Sequence, residues 1–395
     1  MTPDRGVSGG RHMQIRSLQV LRFFAALLVV IGHAQHELRE VGGASVPRLL
    51  SFVPFDWGLG VDIFFVISGF VMMFVTQGQF GKPGASALFL RRRIIRIAPM
   101  YWLFSTPVVL AAVSAASRGG EAVYWLNVLF SYLFLPGPRC DAYCYPIFSL
   151  GWTLNYEMLF YGIFAIALLL RERTGILLIG GIIVALVIVG RFVPAEWTMA
   201  RFWGTPIIGE FLIGVGLALL YRTGFRIPRP AGWALVVLGA VAAVLFYQTG
   251  SYEHIWRLVT GGVPAALILS GVMFALLAER RSAGTIALSA GGDASYALYL
   301  CHPFAIKGVS MIATRLGFLE TLTPWFIPVA VVIALVASLL LHRWLERPLV
   351  DWLNRSGRAS ANKKSVDPRP ADGCAGLALA PGATTNARLG NSTEL

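Results

Sequence analysis

Charge is scarce in this sequence. Only 13% of the 395 residues are Asp, Glu, Lys or Arg, about half of the roughly 25% that soluble domains carry, which excludes an ordinary cytosolic enzyme and a disordered chain. Acidic residues are the scarcer sign, with 20 Asp and Glu against 33 Lys and Arg. The resulting +13 does not point to nucleic acid, because the basic residues sit in short clusters flanking apolar runs and not along one polar surface. Cysteine is nearly absent. Four of them cannot build a disulfide scaffold, and their spacing fits no common zinc site, so no metal is expected. No small-residue cleavage site follows a short apolar stretch near the N-terminus, so the polar lead MTPDRGVSGGRHMQIRSLQ is not read as a removed signal. Internal repeats of the kind that mark inverted-repeat transporters are also missing.

Hydrophobic residues make up 56% of the chain, and the mean hydropathy is +0.67. A bilayer core of about 30 Å takes about 20 apolar residues as helix, and runs of that kind fall near 18–36, 59–76, 94–116, 150–170, 176–192, 205–221, 231–248, 258–278, 294–314 and 323–342. The expected fold is therefore an all-α, polytopic integral membrane protein of about ten transmembrane helices. The stretch 122–135, AVYWLNVLFSYLFL, is too short to span. If it does not cross, most of the arginines fall on one side, which the positive-inside rule makes cytoplasmic. It is then a short re-entrant or interfacial helix, and both termini are cytoplasmic. The expected domains are a lead-in over 1–17, a membrane domain over 18–349 and a disordered tail over 350–395, where Gly, Ala, Ser, Pro and Asn replace apolar periodicity. Cys140 and Cys144 fall in an outer loop, either as a local disulfide or as two free thiols.

An ionisable residue within a span is costly and marks a candidate site. The first span holds Arg22 and His33, which are 11 residues apart, on one helix face and about 16 Å apart along the axis. Arg22 alone also fits a snorkelling residue, and His33 alone fits a satisfied core histidine, but imidazole is also the side chain suited to proton transfer near neutral pH. In SLGWTLNYEMLFYG, Glu157 enters the fourth span about 10 Å deep. It is expected to meet His33 and orient it, or else to tie helices together through Trp152, Asn155 or Tyr156. Asp62, in WGLGVDIFFVISGF, reads equally as a helix-end or a site residue. In FLRRRIIRIAPMYW, Arg93 and Arg96 are i and i+3 on one face, a guanidinium fork suited to phosphate. Arg91 and Arg92 are explained by positive-inside charge, although Arg92 is kept beside the fork as a binding candidate. His302, in GGDASYALYLCHPF, is a further intramembrane histidine behind an expected Asp293 cap, either satisfied by a carbonyl or part of a site. Glu346, near Arg343 and Arg347, reads as part of a surface or juxtamembrane ion pair.

Together these segments resemble the acyltransferase 3 family of integral membrane enzymes that O-acylate carbohydrates and small hydroxylated metabolites. The resemblance runs from Leu18 to about Leu349. It rests on Arg22 with His33, on GVDIFFVISGFVM, FLRRRIIRIAPMYW, WTLNYEMLFY and SYALYLCHP, and is nearest to stand-alone members that modify exopolysaccharide or lipopolysaccharide. Phe23, Phe24 and Asn155 depart from the frequent family residues. The resemblance implies acyl transfer from acyl-coenzyme A, usually acetyl-CoA, to a sugar hydroxyl in the bacterial inner membrane. It also implies His33 as the essential histidine, Arg22 as its arginine partner, and Arg93 and Arg96 as donor-binding residues. On this reading His33 is either the general base or the carrier of a covalent acyl group, with Glu157 in support. Trp152, Asn155, Tyr156, Asp62 and His302 are the substrate-binding candidates. The implied partners are a carbohydrate acceptor, free or lipid-linked, and membrane lipid, with no nucleic acid. The alternative from another class is a transporter or flippase of lipid-linked glycans in which His33, Glu157 and His302 relay protons.

Overall fold

The computed structural model describes residues 6–43, 46–137, 145–194, 196–250, 256–275 and 282–364, with side chains from 16 to 355. Cys140 and Cys144 lie outside the described residues. The chain divides into a body, Met1–Asn354, and a second unit from Arg355.

The described residues form helices and turns with no strand among them. The main elements are α1 (Gly6–Gly42), α2 (Leu59–Val75), α3 (Ala85–Ala116), α4 (Trp125–Tyr132), α5 (Gly151–Ala167), α6 (Glu172–Phe192), α7 (Gly209–Arg222), α8 (Arg229–Gln248), α9 (Gly262–Phe274), α10 (Ala283–Asp293), α11 (Ser295–Arg315), α12 (Phe326–Leu341) and α13 (Arg347–Lys364). An apolar chain in lipid has to satisfy its backbone internally, which a helix does along its own length. Six helical stretches are long and apolar enough to cross a membrane: Arg16–Gly42, Ala85–Ala116, Glu172–Phe192, Arg229–Gln248, Arg257–Phe274 and Leu319–Arg355. Leu59–Val75 is a shorter apolar helix. Each of the ten sequence-expected runs coincides, over its described residues, with a helix or helix pair.

The boundaries differ from expectation in four places. Helix α3 starts at Ala85, not near 94, so its 32 residues extend about 48 Å, and the arginine cluster is helical throughout. The eight residues of α4 reach only about 12 Å. Helix α10 precedes the 294–314 run, and Asp293 closes that helix instead of capping α11, whose N-cap Ala294 makes no side-chain bond. Helix α13 runs through Lys364, so 350–364 is helical where a disordered tail is expected; residues 365–395 lie outside the described residues.

Small residues set how closely the helices approach, as they do where packing rather than water drives association. A Cβ at Gly214 would sit 2.0 Å from the Val66 carbonyl oxygen, and one at Gly69 would sit 2.0 Å from that of Phe211, so α2 and α7 pass backbone to backbone. Gly292 brings α10 equally close to the Gln19 carbonyl on α1. On another face of α1, Ala26, Val30, Ala34 and Leu38 form an i, i+4 ridge. It packs on Leu298, Ile306 and Val309 of α11 and on Phe326, Ala330 and Ala334 of α12. Gly214→Ala is therefore expected to force α2 and α7 apart at a cost of about 2–3 kcal/mol. Gly162→Ala, with nothing within 4 Å of its added methyl, is the neutral control. Thermal unfolding in detergent checks the pair, and equal transition temperatures would refute the close approach.

Candidate functional site

Helices α1, α2, α3, α5 and α11 converge on one cavity of about 110 Å³, room for several waters or a short acyl chain. Its charged lining consists of Arg22 from α1, Arg93 and Arg96 from α3, and Glu157 from α5. Arg93 and Arg96, i and i+3 on α3, both line this space. Arg92, one residue off that face, is exposed and does not line the cavity. Arg91 is turned to the chain end instead, where its Nη2 donates to the Leu353 carbonyl at 2.9 Å.

Each of these side chains is held by a particular neighbour. Glu157 Oε1 accepts from Ser68 Oγ at 3.0 Å and from the Tyr161 hydroxyl one turn along α5. Arg22 Nη1 donates to Gln19 Oε1 at 3.2 Å, and Gln19 Nε2 donates to Asp293 Oδ1 at 2.6 Å, so α10 orients Arg22 through one intermediate. The Arg93 guanidinium lies 5.7 Å from the Phe89 ring centre and 5.9 Å from that of Tyr161, within cation–π range. Its Nε is buried and has no hydrogen-bond partner. Three guanidiniums against one carboxylate leave the cavity positive, and an unpaired donor in an apolar surround is costly unless something supplies an acceptor. The cavity is therefore chemically complementary to an anion.

His33 is elsewhere. It does not line this cavity; its ring meets His302 edge to face, with centroids 5.0 Å apart. The expected contact with Glu157 does not form. Glu157 stands at the level of Arg22, while His33 is 11 residues, or about 16 Å, further along α1. His302 is fully buried, and its Nδ1 lies 3.0 Å from the Leu298 carbonyl. That contact requires the proton on Nδ1, which leaves Nε2 as a bare acceptor. Nε2 is buried with no partner, whereas His33 is exposed. Between the two levels stands Tyr299. It lines the cavity, its hydroxyl bonds Thr153 Oγ1 at 2.7 Å and the Leu150 carbonyl at 2.9 Å, and its ring is 6.1 Å from that of His302.

The other candidates are placed apart from both groups. On α5 the cavity face is Thr153, Leu154, Glu157 and Tyr161, which turns Trp152, Asn155 and Tyr156 away. Trp152 packs edge-on against Phe65 and Tyr156. The Tyr156 hydroxyl donates to the Phe202 carbonyl. Asn155 is buried, and with its amide oriented to satisfy both atoms the nitrogen donates to the carbonyls of Gly151 and Phe134. Asp62 is fully buried and bonded to Arg257 Nε at 3.0 Å and Nη2 at 3.3 Å, while Arg257 Nη1 also reaches Asp56 at 3.2 Å. Glu210, which sequence reasoning passed over, is buried against Asp62. Asp62 and Asp56 tie the start of α2 to Arg257. Glu346 is not a surface residue either: it is buried on a π-turn, His342–Glu346, and pairs with His342 Nδ1 at 2.9 Å. Sequence reasoning also missed Ser68, Tyr161 and Tyr299. Tyr161 stood one turn from Glu157 on the same face, and that spacing was the available signal.

Comparison with known proteins bears on this arrangement. Residues 15–343 match the model of acyltransferase family 3, described as an acyltransferase domain. The exopolysaccharide production protein ExoZ of Rhizobium meliloti (strain 1021) is 33% identical over 306 residues, 76% of this chain and 90% of its own length. BcsY of Komagataeibacter xylinus, named as a candidate membrane-bound transacylase, is 26% identical over 337 residues, 77% of this chain and 79% of its own. No solved structure matches the chain.

Proposed function

The chain belongs to the acyltransferase 3 family, and from that premise we propose that it is a multi-pass membrane enzyme moving an acetyl or other short acyl group from acyl-CoA to a hydroxyl of an exopolysaccharide sugar. The observation that carries this reading is the positive cavity lined by Arg22, Arg93 and Arg96, with Tyr299 of its wall packed 6.1 Å from His302, which in turn meets His33. The acceptor class is supported by the names of the relatives, one of them an exopolysaccharide production protein.

The membrane reading has about ten spans, with α4 as the re-entrant or interfacial piece, both termini cytoplasmic, and the bacterial inner membrane as the location. The arginine end of α1 then faces the cytoplasm, where acyl-CoA is made, and the histidine level lies toward the outer side. Arg93 and Arg96 hold the donor's phosphates, and the unpartnered Arg93 Nε supports that role. Glu157, fixed by Ser68 and Tyr161, keeps the guanidiniums in place and partly balances them, which replaces the expected role of orienting His33. Arg22 is held ready from the Asp293 side through Gln19. The acyl thioester supplies the activated carbonyl.

His33 takes the proton from the acceptor hydroxyl as its oxygen bonds to the acyl carbon. The carbon–sulfur bond then breaks, and the imidazolium returns the proton to the departing thiolate. His302, with its proton on Nδ1 and its Nε2 bare, positions the His33 ring.

Purified protein in nanodiscs, given radiolabelled acetyl-CoA and a carbohydrate-rich membrane extract, is expected to consume thioester and label the carbohydrate. Neither binding nor turnover of acetyl-CoA under those conditions would overturn the enzyme reading and favour a glycan transporter or flippase.

A further inference from the structure

The arginine cavity and the histidine pair stand at different levels, and the way between them is closed. Arg22 lines the cavity, but one turn further along α1 a Cβ at Gly60 would collide with the Ala25 carbonyl, so α1 and α2 touch backbone to backbone there. Ala26, Val29 and Val30, the residues that continue toward His33, are buried. On α11 the lining runs through Ser295, Tyr296 and Tyr299 and then stops, although His302 is the next residue on that face. The Tyr299 ring is therefore the wall at the histidine end. It is 8% exposed, and the His302 ring lies 6.1 Å behind it.

This wall is fastened at its tip and weak at its root. The Tyr299 hydroxyl donates to the Leu150 carbonyl at 2.9 Å, at the start of α5. A phenol has one proton to give, so the 2.7 Å contact with Thr153 Oγ1 is one in which the threonine donates. The backbone is different. Pro303 stands inside α11, four residues past Tyr299, and has no N–H to offer the Tyr299 carbonyl, so the helix lacks a bond at the residue that carries the ring. Helices bend at such a place.

We propose that Tyr299 is a movable partition, with Thr153 as its catch and Pro303 as its hinge, which decides whether a thioester held from the arginine side reaches His33. The inference rests on the acyl-CoA reading of the cavity. Arg22 and His33 are about 16 Å apart along α1, and neither histidine lines the cavity. A donor anchored at Arg93 and Arg96 must displace the ring before the imidazole can act. Closed, the partition keeps the thioester in a largely apolar cavity and away from the base; open, it lets the two meet. Tyr299 is on this account a positioning residue.

The test measures passage without requiring turnover. The full chain in nanodiscs carries His33→Cys, with the four native cysteines replaced by alanine, and is given the 2-pyridyl disulfide of coenzyme A. The introduced thiolate attacks the coenzyme A sulfur; one S–S bond forms, the pyridyl S–S bond breaks, and pyridine-2-thione leaves and is followed by its absorbance. Tyr299→Phe and Thr153→Val each remove a bond that only the closed state makes, and are expected to speed capture about 3- to 10-fold. Pro303→Ala gives the Tyr299 carbonyl its donor back and is expected to slow capture by a similar factor. Arg93→Ala is expected to slow it as well, because the route starts at the fork. In the chain that keeps His33, KM for acetyl-CoA is expected to be unchanged by Tyr299→Phe, Thr153→Val and Pro303→Ala. A general loosening of the fold would move all three capture rates in one direction, and that result overturns the partition. So do equal rates, capture indifferent to Arg93→Ala, or no capture at all. Rates in the expected order, with no acetyl-CoA turnover by the wild-type chain, would fault the acyltransferase reading and leave the partition standing; turnover with disordered rates would do the reverse.

Discussion

His33→Ala lowers acyl transfer by about 10²- to 10⁴-fold, the range lost when a general base is removed, while KM for acetyl-CoA changes little. The separation of the two effects follows from the geometry, because His33 stands outside the arginine cavity and meets His302 instead. Its exposure means that truncation leaves no void in the core, so insertion and thermal stability are expected to match wild type. His33→Gln keeps the volume and a hydrogen-bonding end but cannot carry the proton, and it is expected to be equally inactive. Single-turnover assays of purified variants measure this, with detergent-solubilised yield as the control for folding. Turnover within a few-fold of wild type in both variants would remove His33 from the chemistry.

Removing the fork acts on the other term. Arg93→Ala and Arg96→Ala each raise KM for acetyl-CoA by about 10- to 100-fold, the value of a charge-assisted hydrogen bond, and the double variant approaches the product of the two. Arg93→Lys restores only part, since an ammonium cannot reproduce the planar, two-pronged contact that guanidinium makes with phosphate. Arg92→Ala is the internal comparison: it has the same charge on the same helix, but it is exposed and outside the cavity, and its KM is expected to be unchanged. Initial rates against acetyl-CoA concentration decide the matter. Equal losses in all three single variants would mean that the cluster acts through overall charge and not through a shaped site.

Part of the candidate site is legible in the sequence because it follows from local periodicity. Arg93 and Arg96 are three residues apart, so the pitch of a helix alone puts them on one face. A histidine deep in an apolar run is expensive wherever the run ends up, and the same holds for Glu157. Helix identity was equally legible, since an apolar segment in lipid has few other ways to satisfy its backbone.

What the sequence could not convey is how far one helix slides along another. The expected meeting of His33 and Glu157 assumed that α1 and α5 enter the membrane flush. In the fold Glu157 is level with Arg22, so the carboxylate serves the arginines and His302 takes the place beside His33. That offset is decided by contacts between distant segments, such as the glycine at 292 letting α10 settle on the Gln19 carbonyl. The same holds for Asp62, whose partner Arg257 lies 195 positions away, and for Glu346, which a π-turn swings into the interior. By itself, then, the sequence determined the membrane class, the helices and the side chains too costly to be there by accident. Which of those side chains meet was decided only in three dimensions, because axial register between packed helices is set by the fit of their surfaces and not by the period of either one.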